Sequence, residues 1–359
     1  MYVKKRRVRI NVLTTMKKMK HIFRKATAIL AAVFIIGVLC LCITGCSVDQ
    51  SNRGGSMPGI AEVTPGQEAE DRTVSGEIQD SRGSNDSSGS NDNGGSNDNG
   101  GLNIITSFYP MYVFTLNIIK GVNGVSLTNM TTPATGCLHD YTLKPQDMKA
   151  LESADVFVIN GAGMEPFLDV VNVKYRDLSV IDSSGRIQII DENPHIWLSV
   201  ENAIFQVKNI AEGLGGKDPA NAEKYNANAN AYIDRLELLK KEMEEKAKLI
   251  NKKNIVTYHE AFPYFAREMN LNVVAVIDRE PDEKPAPAEL ARLTELVRRE
   301  NVAALFTEPL NSKDEAETIA KETGAKVYVL DPAVSGDLIE TAYENAIRSN
   351  IDVLLEALK

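Results

Sequence analysis

The chain has 359 residues, 43% apolar and 25% charged, with a formal net charge of -9 at pH 7, which is enough for about two domains of ~100–200 residues, each able to bury a core. The charge is uneven: residues 1–45 carry ten Lys and Arg and no acid, leaving 30 basic against 49 acidic residues, a net of -19, in the remainder. An acidic surface repels phosphate backbones and attracts cations, which argues against nucleic acid as a partner.

At the amino terminus a basic stretch ends at Lys25, an apolar run extends from Ala26 to Ile43, and the segment closes on Ile43-Thr44-Gly45-Cys46. A charged region, an apolar region and small residues at a cleavage point describe a secretory signal. The cysteine directly after the small pair resembles a bacterial lipobox, so residues 1–45 read as a lipoprotein signal peptide and Cys46 as the lipidated first residue of the mature chain. An uncleaved transmembrane anchor is the alternative; both readings put the remainder outside the membrane. The basic region is long, and Met16 and Met19 are alternative starts to Met1. With Cys40 and Cys42 in the signal and Cys46 as anchor, only Cys137 is left, so no internal disulfide is available to the mature fold.

Residues 46–101 follow as a Gly/Ser/Asn/Asp tether with Ser-Asn-Asp at 84–86, 90–92 and 96–98. Such a segment buries too little apolar area to offset its ordering entropy. As a coil it reaches about 40 Å r.m.s.. Calcium-binding β-roll repeats would need an apolar residue in each period, and none is present.

Folded sequence starts near Leu102. Strands are predicted at 103–107, Val125–Met130, Asp155–Ile159 and Leu178–Ile181, with helical stretches at Met111–Lys120 and Pro145–Ser153. Asp218-Pro219 is a helix-start signal, an N-cap followed by proline. From there to Ile250, Tyr225, Ala229, Tyr232, Leu236, Leu239, Met243 and Ile250 recur at spacings of three, four or seven. A helix of ~30 residues spans about 45 Å, long enough to run along two lobes; an ordinary peripheral helix of one lobe is the alternative. Beyond it lie predicted strands Ile255–Tyr258, Val273–Ile277, Val302–Phe306 and Lys326–Leu330. They alternate with helical stretches Glu260–Met269, Pro287–Glu300, Ser312–Thr323 and Leu338–Leu358. This alternation predicts two α/β lobes with parallel sheets: an N-terminal lobe at 102–217, a linking helix at 218–250 and a C-terminal lobe at 251–359.

Of four histidines, His21 lies in the signal, and His139, His195 and His259 are the only ones in the mature chain. Each falls in a loop or at a strand end. In open α/β sheets, ligands bind in the crevice at the carboxyl ends of strands. Val327–Leu330 leads directly into Asp331, so three imidazoles and a carboxylate would complete a tetrahedral site. A single histidine has many competing roles and no His-Glu-x-x-His spacing occurs, so the signal is the joint placement.

Several ordered motifs resemble the zinc/manganese substrate-binding lipoproteins of ABC transporters, the ZnuA/TroA-like family. They are Thr106-Ser107-Phe108-Tyr109-Pro110; His139-Asp140-Tyr141 with Lys144-Pro145-Gln146-Asp147; Pro194-His195-Ile196-Trp197-Leu198; His259-Glu260-Ala261-Phe262-Pro263-Tyr264-Phe265; Thr307-Glu308-Pro309; and Leu330-Asp331-Pro332. The resemblance runs from about Leu102 to the end. It implies two α/β lobes joined by a long rigid helix, with metal in the cleft between them. The ligands it implies are His139 and His195 from the first lobe and His259 and Asp331 from the second. It also implies delivery of the ion to an ABC permease with its separate ATPase, by a monomer anchored at the outer face of the membrane. Two departures stand out. The family's Pro-Gly-x-Glu-Pro-like approach to the first histidine is here Ala134-Thr135-Gly136-Cys137-Leu138, and the long His-rich loop of many zinc-specific members is absent. Cys137 is read as a buried free thiol, with a redox-sensitive position and an occasional ligand as alternatives.

Manganese binders of the family tend to carry a carboxylate at the third histidine position. Here it is His259, and three nitrogen ligands suit zinc better than manganese. Asp140 and Glu308 are expected to accept hydrogen bonds from ligating imidazoles, whereas Glu260 equally fits a helix-start acid. The rival functions are a secreted zinc-dependent hydrolase, in which an acid such as Glu260 activates metal-bound water, and an adhesin or structural lipoprotein whose metal only stabilises the fold. A fourth ligand at Asp331 argues against the hydrolase, because a closed site is not catalytic.

Overall fold

The computed structural model describes residues 101–132, 135–139, 141–277, 286–310 and 312–359. All of them lie in one compact unit, Asn91–Lys359. The signal peptide, Cys46 and nearly all of the tether fall outside the described residues. Among the described residues, no helix is long and apolar enough to cross a membrane.

Two four-stranded parallel sheets form the frame. The first comprises β1 (Leu102–Thr106), β2 (Val125–Asn129), β3 (Val156–Ile159) and β4 (Ser179–Asp182), in the order β2-β1-β3-β4. The second comprises β5 (Asn254–Thr257), β6 (Asn272–Val276), β7 (Ala304–Thr307) and β8 (Lys326–Val329), in the order β6-β5-β7-β8. Parallel strands need helical crossovers and end up covered on both faces. The apolar runs Val156–Ile159 and Ala304–Thr307 are accordingly buried along their whole length.

The crossovers in the first lobe are α1 (Tyr109–Ile118), α2 (Pro145–Glu152) and α3 (Leu168–Lys174); in the second they are α6 (Pro263–Glu268), α7 (Pro287–Arg299) and α8 (Asp314–Thr323). Proline in the first turn starts α1, α2, α6 and α7, where its missing N–H has no intrahelical partner to lose. The stretch expected to be helical from Glu260 therefore becomes helix only at Pro263, and residues 260–262 remain in the turn after β5.

Between the lobes, α4 (Val200–Lys217) and α5 (Ala222–Ala247) form a helical hairpin around Asp218 and the short 3₁₀ turn Pro219–Asn221. The apolar face read from the sequence is the buried one: Tyr225, Tyr232, Leu236 and Leu239 are fully enclosed. α5 reaches both lobes. Asn228 donates to the carbonyls of Ile118 and Lys120 in the first lobe. Arg235 and Glu242 pair with Glu344 and Arg348 of α9 (Ala342–Leu358), which closes the second. The main core runs through both lobes, and a smaller cluster around Val256, Leu305 and Ile319 lies within the second.

Candidate metal centre

Each histidine is carried past a strand by a loop whose shape has a local cause. Beyond β2, Leu138 plugs into the core with no exposure. The Asp147 carboxylate in the first turn of α2 accepts from the Lys144 amide at 2.7 Å and the Tyr141 hydroxyl at 2.8 Å. That pair of bonds ties the loop holding His139 to α2. His195 stands at the head of the 3₁₀ turn Ile196–Leu198, with Trp197 fully buried beneath it at a ring distance of 5.2 Å. The Pro194 carbonyl before it accepts from Asn160 at 3.0 Å. His259 lies two residues beyond β5, where the Thr257 hydroxyl donates to its carbonyl at 3.0 Å.

These loops bring the three rings together. Ring centroids are 4.9 Å apart for His139 and His195, 4.8 Å for His195 and His259, and 5.8 Å for His139 and His259. The Nε2 atoms of His139 and His195 are 3.1 Å apart. Tetrahedral bonds of ~2.0–2.1 Å set donor atoms about 3.3 Å from each other, so the spacing matches a shared ion. Donor atoms of Cys137, His139, His195 and His259 all lie within 4.8 Å of one another.

Protonation follows from the neighbours. The Asn193 side-chain oxygen accepts from both the backbone N–H and Nδ1 of His195, each at 2.9 Å, while its amide nitrogen donates to the Glu260 carbonyl at 2.6 Å. Because the backbone N–H needs an acceptor, the Asn193 orientation is determined, His195 carries its proton on Nδ1, and Nε2 presents a lone pair. Burial, then the neighbouring His259 and His139, push the His195 pKa well below its ordinary value, which keeps it neutral and ready for a cation. On His259, Nδ1 faces a Glu308 carboxylate oxygen at 3.2 Å. That approach lacks hydrogen-bond alignment, since the same oxygen is otherwise unpartnered. The contact follows from register. Thr257 pairs with Phe306 across β5 and β7, so the residues two steps further along, His259 and Glu308, emerge side by side.

Asp331 is not a member of this cluster. It follows β8, which is separated from β5 by β7, and adjacent strands are about 4.8 Å apart. Its Oδ1 accepts from the Ala333 amide at 2.8 Å, and its backbone N–H and carbonyl are both bonded to Asn350. Burial raises the Asp331 pKa, and the Glu308 charge adds to the rise. Asp140 falls outside the described residues, and Glu260 is exposed, its carbonyl held by Asn193. Asn193 itself carried no role in the sequence reading; an Asn two residues before a histidine, placed to bond its own chain, is the signal that marks it.

The two lobes also touch through polar bonds around the site. Trp197 Nε1 donates to the Pro332 carbonyl at 2.8 Å, Tyr343 donates to the Trp197 carbonyl at 2.7 Å, and Tyr264 donates to the Asn193 carbonyl at 2.7 Å. Two parallel-sheet lobes on a helical hairpin, with imidazoles converging from both, define a bilobed receptor for a metal ion. A family model described as "Zinc-uptake complex component A periplasmic" matches residues 104–357. The chain belongs to that family, ZnuA. It is 31% identical over 282 residues to the high-affinity zinc uptake system protein ZnuA of Bacillus subtilis, covering 72% of this chain and 88% of that one. It is 32% identical over 284 residues to the zinc-binding lipoprotein AdcA of Streptococcus pneumoniae, of which it spans 55%. Among solved structures, it superposes on the Pseudomonas aeruginosa substrate-binding protein FpvC with Ni²⁺ at a TM-score of 0.65 and 30% identity, over 72% of this chain and 97% of that one.

Proposed function

We propose that this chain is an extracytoplasmic receptor that captures zinc between its lobes with His139, His195 and His259 and hands it to an ABC permease energised by a separate ATPase. The observation that carries the reading is the convergence of three imidazoles, two from the first lobe and one from the second, with two Nε2 atoms 3.1 Å apart. Imidazole donors favour zinc over manganese. Glu308 sets its carboxylate beside the His259 ring, and Asp140, next to His139 in the sequence, is the other carboxylate expected to serve a ligating imidazole. The fourth position has two claimants: Asp331, the donor the family resemblance implies, and Cys137. Lipidation of Cys46 keeps the receptor on the outer face of the membrane, and the acidic tether lets it reach its permease as a monomer. Ion capture by groups from both lobes also gives the permease a handle: separating the lobes separates the ligands.

The test is a competition titration of the metal-stripped full chain with zinc and manganese. One zinc per chain, bound in preference to manganese and lost in His259→Ala, is expected. Unchanged zinc content in that variant, or a preference for manganese, contradicts the proposal.

A further inference from the structure

We propose that Cys137 is the fourth metal donor, giving an N₃S site of three imidazoles and one thiolate in place of the carboxylate-completed site.

Three observations converge on it. First, the Cys137 sulfur is one of the four donor atoms that lie within 4.8 Å of one another, and Asp331 supplies none of them. Second, the loop presents the thiol. Gly136 adopts a φ of +68°, a left-handed turn that glycine makes without steric cost, and Leu138 anchors in the core with no exposure. Cys137 and His139 thus flank a buried pin, and both contribute to the same cluster. Third, Asp331 follows β8, with β7 standing between that strand and β5, which leads into His259, and its Oδ1 accepts from the Ala333 amide at 2.8 Å. No second cysteine among the described residues competes for the sulfur as a disulfide partner.

The chemistry has a consequence for selectivity. On binding, the Zn–S bond forms as the S–H proton leaves to water, so the dication meets one anionic and three neutral donors. Thiolate is a soft ligand that favours zinc, cadmium and cuprous copper, and disfavours manganese more strongly than a carboxylate does. The sequence position that departs from the family pattern would therefore sharpen discrimination at the site.

This inference rests on the zinc-receptor reading, and its test separates the two. The metal-stripped full chain is loaded with Co²⁺ and its absorption recorded, and the zinc-loaded chain is measured by X-ray absorption. A thiolate-to-cobalt charge-transfer band is expected in the parent and in Asp331→Asn, and its loss in Cys137→Ser. In the zinc form, one sulfur at ~2.3 Å should accompany nitrogens at ~2.0–2.1 Å. Zinc affinity should fall about 100-fold or more in Cys137→Ser, at or beyond the ~10–100-fold typical of losing an outer partner. Bound metal with no sulfur in its shell overturns the thiolate assignment and leaves the receptor intact. A parent chain that binds neither metal overturns both. The zinc-edge spectrum of the parent decides the question even if the serine variant fails to fold.

Discussion

Asn193 gives the sharpest test of how the site is preorganised. Its side-chain oxygen holds the His195 backbone and ring, and its amide nitrogen reaches the Glu260 carbonyl of the other lobe. Asn193→Ala removes the acceptor that keeps the His195 proton on Nδ1. The ring is then free to turn or to change tautomer, and its lone pair no longer faces His139. Loss of such an outer partner costs ~10–100-fold in metal affinity, or about 1.4–2.7 kcal/mol. A second variant separates ring control from lobe bridging. Asn193→Asp keeps an oxygen for the His195 Nδ1–H and replaces the donor to Glu260 with an acceptor. If ring control dominates, the aspartate variant keeps near-parent affinity and the alanine variant does not. Zinc competition against a chromophoric chelator at fixed pH reads both. An alanine variant within twofold of the parent would refute the reasoning.

Other consequences are as direct. Glu308→Gln should weaken zinc binding up to about 10-fold by removing the negative charge 3.2 Å from His259 Nδ1, a contact that is electrostatic and not hydrogen-bonded; an unchanged dissociation constant makes Glu308 a bystander. The Glu165 carboxyl, which accepts from Ser107, Asn160 and Gly161, is pushed by burial to about 7 from an ordinary 4.5. Because the folded chain then holds a proton that the unfolded chain releases, its contribution to stability is full below pH 4.5 and declines as pH rises to about 7, by about 3 kcal/mol. Glu165→Gln should lose that slope in urea titrations across the window, and a variant retaining it locates the titration elsewhere. Glu268 accepts from Ser199 and from the Val200 and Glu201 amides, so a second-lobe carboxylate caps α4. Glu268→Ala should destabilise the fold by about 3 kcal/mol, read from the denaturation midpoint; a loss below about 0.5 kcal/mol removes the cap from the account.

Much of this architecture is legible from residues alone, for physical reasons. Strands buried on both faces, such as Val156–Ile159, announce themselves as short apolar runs, and proline marks helix starts at Pro145, Pro263 and Pro287. The inner face of α5 follows from its three-four spacing because that helix is long enough for the period to repeat. α3, with seven residues and one fully buried position, has no period to read. Strand order is invisible in the same sense: nothing in the local sequence says that β7 stands between β5 and β8. That order brings Glu308 beside His259 and holds Asp331 one strand further away. Cys137 reads from the sequence as a buried free thiol, and among the described residues it is a free cysteine; sequence proximity to His139 alone does not say where its side chain points. The turn at Gly136 and the plug at Leu138 supply that direction.

The central claim is that His139, His195 and His259 share one zinc ion. A crystal structure of the zinc-loaded chain, with anomalous diffraction recorded at the zinc edge, addresses it directly. The account predicts a single anomalous peak between the two lobes, ~2.0–2.1 Å from one nitrogen of each of the three rings. A peak that misses any of these imidazoles, or zinc found elsewhere on the chain, contradicts it.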